Sequence, residues 1–140
     1  MQRDRFATAR VWLGNAETDL ELAREIVERF AARACFHAQQ CSGFALKGAL
    51  IALADDHPRT HVGEGLLREL EALDVAIPQD VLAAANRLDL FYIGSRYPDS
   101  LGGADPRKVL SREDAERAIV LSRRVLEFAT ALVDESVPPT

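Results

Sequence analysis

The stretch ACFHAQQCSGFALKGALIALA, residues 34–54, carries a single formal charge, Lys47. Set on a helix, its apolar side chains point in nearly every direction, and a helix that is apolar all round must be covered all round. In a chain of 140 residues this leaves two places for it: the centre of a helical bundle, or a surface shared with a second subunit. The expectation is both. His37, Gln39, Gln40, Ser42 and Lys47 interrupt the run, so it lacks the roughly 20 predominantly apolar residues of a membrane span.

The rest of the chain has helix periodicity around this segment. From Arg5 to Phe30, the positions Ala9, Trp12, Leu13, Ala16, Leu20, Ala23, Val27 and Phe30 step by three and four and form one stripe for burial. Glu17, Asp19, Glu21, Arg24, Glu25 and Glu28 fill the opposite side. Pro58 is expected to end the apolar segment, because proline cannot extend a helix and restricts its predecessor. Glu64 to Leu73 reads as a short helix, and Asp74 to Pro78 as a turn. A fourth helix, Val81 to Ile93, turns Val81, Leu82, Ala85, Leu88 and Phe91 or Tyr92 inward. Ser111 with Asp114 three residues later has the pattern of an N-cap pair. It opens a last helix to about Glu135 that buries Ala115, Ala118, Ile119, Ser122, Val125, Leu126, Ala129 and Val133. These segments predict an all-α fold, a five-helix antiparallel up-and-down bundle with a four-helix core plus a short helix. The whole chain, 1–140, reads as one domain, ordered from about residue 5 to 135 with 136–140 a frayed tail.

Composition fits this architecture. Hydrophobic residues make up 48 % of the chain, enough for a core without disulfides or metal. Cys35 and Cys41 point to different faces of one helix and are expected to stay unpaired. The opening MQRDRFATARVW lacks the apolar core of a signal peptide, so a cytoplasmic location is expected. A formal net charge of −5 opposes non-specific binding of nucleic acid by the whole surface. The balance reverses between Arg96 and Arg124, where seven basic side chains stand against five acidic ones.

Most motifs that carry chemistry are missing. His57 and His61 have a chelating spacing for a helix, but Pro58 breaks that helix and no thiol or carboxylate pattern completes a zinc site. No Glu-x-x-His pairs suggest a di-iron bundle. Gly102-Gly103 lacks the lysine and hydroxyl of a phosphate loop, and no Gly-x-Ser-x-Gly elbow is present. No metal and no cofactor are expected. Two constellations remain. His37, Gln40, Phe44 and Lys47 share one stripe of the apolar helix, and Gly43 and Gly48 thin the neighbouring surface. They either satisfy internal or inter-subunit polar groups or contact a ligand. In SRYPD, Arg96 offers a planar fork of donors for phosphate or carboxylate, Tyr97 a stacking face, and Asp99 a carboxylate able to hold Arg96. They either cap the end of the fourth helix or form a binding surface.

FHAQQ at Phe36 to Gln40, ALKGAL at Ala45 to Leu50, Thr60-His61 and SRYPD at Ser95 to Asp99 occur in this order. WLGNAETDLELA precedes them and SREDAERAI follows. Together they resemble the HEPN family (higher eukaryotes and prokaryotes nucleotide-binding domain) over nearly the whole chain, with SRYPD and the QQ…LK helix matching one prokaryotic branch. The resemblance implies a helical bundle that is usually a homodimer. Small prokaryotic members are often companions of a minimal nucleotidyltransferase, some as toxin–antitoxin pairs, which implies nucleotide, RNA or partner binding through Arg96, Tyr97, Asp99, Lys47, Gln40 and His37. Other members are metal-independent ribonucleases with an arginine, four to six intervening residues, then a histidine. Here Arg96 is followed at that spacing by Leu101, Gly102 and Gly103, and Arg33 precedes His37 by too little. Ribonuclease action through Arg96 is therefore the alternative reading, and a purely structural dimer the next. A Glu-Lys pair that many relatives carry in the second helix is replaced by Gly43-Phe44.

Overall fold

The computed structural model describes residues 4–55, 63–94 and 105–139. Among the described residues six helices follow in order: α1 (Arg5–Ile26), α2 (Ala31–Ala54), α3 (Gly63–Ala72), α4 (Gln79–Gly94), α5 (Pro106–Val109) and α6 (Arg112–Ser136). No strand occurs among the described residues. The expected all-α bundle is present, and the single-turn α5 is the one helix the periodicity did not announce. Its four residues are too few for a pattern, and it forms because Asp105 accepts from the Arg107 backbone N–H while proline opens the turn.

α1, α3 and α6 start where side chains satisfy free backbone donors, whereas α2 has no side-chain cap. The Asp4 carboxylate accepts from the N–H groups of Phe6 and Ala7 at 2.9 and 3.2 Å. Ser111 and Asp114 form the anticipated reciprocal cap: the hydroxyl accepts from Asp114 N–H at 3.1 Å, and the carboxylate accepts from Ser111 N–H at 2.9 Å. The start of α3 is capped from a distance. Asp89, on α4, accepts from the N–H groups of Gly63 and Glu64 at 2.6 and 3.2 Å. Burial of this carboxyl raises its pKa above the usual range, against the pull of the two backbone donors. A side chain at Gly63 would meet Ala85 Cβ and Asp89 Oδ1 at 3.2 Å, so glycine lets the cap approach.

α2 lies at the centre and contacts every other helix. Sixteen of its 24 residues are buried. Against it α1 presents Ala9, Leu13, Ala16, Leu20 and Ala23, with an alanine at every second turn that allows close approach. At Gly48 the approach is tightest: a Cβ there would lie 3.1 Å from the Ala9 carbonyl oxygen and 3.2 Å from Trp12 Cβ. On the other side α6 buries Ala115, Ala118, Ser122, Val125, Leu126, Ala129 and Val133.

α2 is central, as expected, and its own chain buries sixteen of its residues. The large apolar side chains that are exposed sit on other segments, among them Val11, Leu90 and Val120 at 63–68 % exposure. Three expectations need correction. Phe30 is 52 % exposed instead of buried, because α1 stops at Ile26 and the chain turns before Phe30 opens α2. Leu82 and Ile119 are half-buried at the edges of their stripes. Finally, α2 ends before Pro58: Asp55 adopts a left-handed conformation (φ 59°) and its N–H closes onto the Ile51 carbonyl.

Candidate functional site

His37, Gln40, Phe44 and Lys47 all lie on α2, and their side chains have different surroundings. Lys47 is 7 % exposed, the one charged side chain in the core of the described residues. Its ammonium lies 5.8 Å from the centroid of the Trp12 ring, and Trp12 meets Phe44 edge-on at 5.6 Å. Burial alone lowers the pKa of Lys47. One end of the stripe is thus an aromatic-walled cation. At the other end, about 15 Å along the helix, His37 Nδ1 lies 2.9 Å from Asp19 Oδ1 on α1, and the Phe36 ring stands edge-on to the imidazole. The carboxylate fixes the imidazole through one nitrogen and leaves Nε2 as the ring's other polar atom. Gln40, between the two ends, is half-buried.

Arg96, Tyr97 and Asp99 lie outside the described residues, as do His57, Pro58, His61 and the Leu101–Gly103 segment. Arg33, one turn before His37, is exposed.

Four of the basic side chains beyond Arg96 are paired with carboxylates in the fold. Arg112 pairs with Glu28 and Glu116, Arg123 with Glu127, and Arg124 with Asp80 at 2.6 Å. Arg107 pairs with Asp105 and pulls that carboxyl down to about 2. Counting charges along the chain misses partners such as Glu28 and Asp80, which only folding brings near. The two cysteines are buried and unpaired, and burial pushes both thiols up to about 12, so neither offers a thiolate at neutral pH. Among the described residues no three His, Cys, Asp or Glu side chains converge as a metal site would require. A groove of about 990 Å³ runs between α1 and α6, walled by Glu17, Glu21 and Arg24 against Arg123, Glu127 and Asp134. It lies apart from the α2 stripe.

Sequence reasoning missed two residues of the site. Trp12 reads from periodicity as a core residue, yet its ring also faces Lys47. Asp19 reads as one more acid on a solvated side, and only the antiparallel pairing of α1 with α2 brings it to His37. A tryptophan beside the single charge of an apolar helix would have been the one available signal.

A family model for the HEPN domain matches residues 9–132. Two solved structures superpose closely. TT1696 from Thermus thermophilus shares 35 % identity, with 92 % of this chain and 98 % of that chain covered and a TM-score of 0.80. ST0689, described as an archaeal HEPN homologue, shares 31 %, with 95 % and 99 % covered and a TM-score of 0.75. No curated protein matches the sequence.

Proposed function

Because the chain belongs to the HEPN domain family, we propose that it acts as a nucleotide-, RNA- or partner-binding helical module, the cytoplasmic and homodimeric companion of a minimal nucleotidyltransferase in a toxin–antitoxin-like pair. The observation that carries this reading is the α2 stripe: a buried cation, a half-buried amide and a carboxylate-held imidazole on one helix, next to two aromatic rings that meet edge to face. A purely structural bundle has no need of a charge in its core, since well-packed apolar residues serve stability as well or better. Arg96, Tyr97 and Asp99 extend the contact surface in this reading, with the prokaryotic SRYPD branch as its source. Binding is favoured over catalysis because metal-free RNA cleavage needs a proton acceptor as well as a charge stabiliser. Arg96 has no histidine at the family spacing, and His37 is engaged with Asp19.

Co-expression with a nucleotidyltransferase encoded beside the gene, followed by light scattering on the purified product, tests the proposal. A stoichiometric complex that Arg96→Ala weakens is the expected result. A chain that stays monomeric and ignores the nucleotidyltransferase would refute it, as would robust cleavage of single-stranded RNA abolished by Arg96→Ala.

A further inference from the structure

We draw no further inference here: the strongest candidate, the groove between α1 and α6 with Glu17, Glu21 and Arg24 on one wall and Arg123, Glu127 and Asp134 on the other, carries none, because its floor residues Leu20 and Leu126 are already buried by this chain and nothing in the structure shows what occupies it.

Discussion

α2 and α6 are nearly equal in length, 24 and 25 residues, and they are stabilised in opposite ways. α6 has a reciprocal cap at its start, acids in its first turn, (i, i+4) pairs Arg112–Glu116 and Arg123–Glu127 on its outer side, and one stripe of seven buried residues. Local chemistry and burial agree at every turn. α2 has no side-chain cap, no acid in its first turn and no base in its last, and two glycines weaken its interior. Its helicity comes from being enclosed, in line with the general rule that tertiary packing outweighs propensity in most protein helices. The helix most resistant to solvent is therefore the one that depends most on its neighbours.

That contrast can be broken most severely where α2 meets α1. Gly48→Leu must push Ala9 and Trp12 apart, and a loss of about 3 kcal/mol is expected from overpacking. Urea denaturation would measure it, and a change under about 1 kcal/mol would show the seam to be compliant. Removing the distant cap of α3 comes next. Asp89→Ala should cost about 1–2 kcal/mol, and hydrogen exchange should rise first at Gly63 and Glu64, whose N–H groups lose their acceptor. Exchange spread evenly over the chain would argue against a local role.

Lys47 sharpens the comparison in the opposite direction. Lys47→Met should stabilise the protein in chloride by about 1 kcal/mol, since an unpaired buried charge is replaced by a flexible apolar side chain. The sign of its pH dependence follows from linkage. Burial depresses the folded-state pKa below 10.5, so the folded state resists the charge, and the cost is full below the depressed value. It fades as pH rises from there to 10.5, and the advantage of Lys47→Met should shrink over the same window. An advantage independent of pH up to that point would mean the charge is compensated. On α6 the effects should be smaller and local. Ser111→Ala should cost about 1 kcal/mol through the lost cap, and Arg123→Ala less than about 0.5 kcal/mol, because its pair with Glu127 is exposed. Thermal unfolding resolves the first and should barely register the second.

Periodicity and apolar content determined the helical class, the central place of residues 34–54, the buried stripe of α6 and its Ser111–Asp114 cap. Each of these is a local pattern, and a few helical turns of sequence contain the information. Helix ends were less legible: α1 stops at Ile26, short of Phe30, and Asp55 rather than Pro58 closes α2, because termini answer to turns that many sequences can adopt. The site divides the same way. That His37, Gln40, Phe44 and Lys47 share a face follows from their spacing alone. That His37 is held by Asp19, that Lys47 faces Trp12 instead of a carboxylate, and that Asp89 closes α3 from 25 residues away were decided only when the helices packed. The arginines beyond Arg96 teach the same lesson, for Glu28 and Asp80 neutralise charges that look free along the chain. A linear sequence states which groups exist and which side of a helix they occupy. Only the antiparallel seams choose their partners, because an electrostatic or hydrogen-bonded contact acts over a few ångströms and distance along the chain says nothing about that.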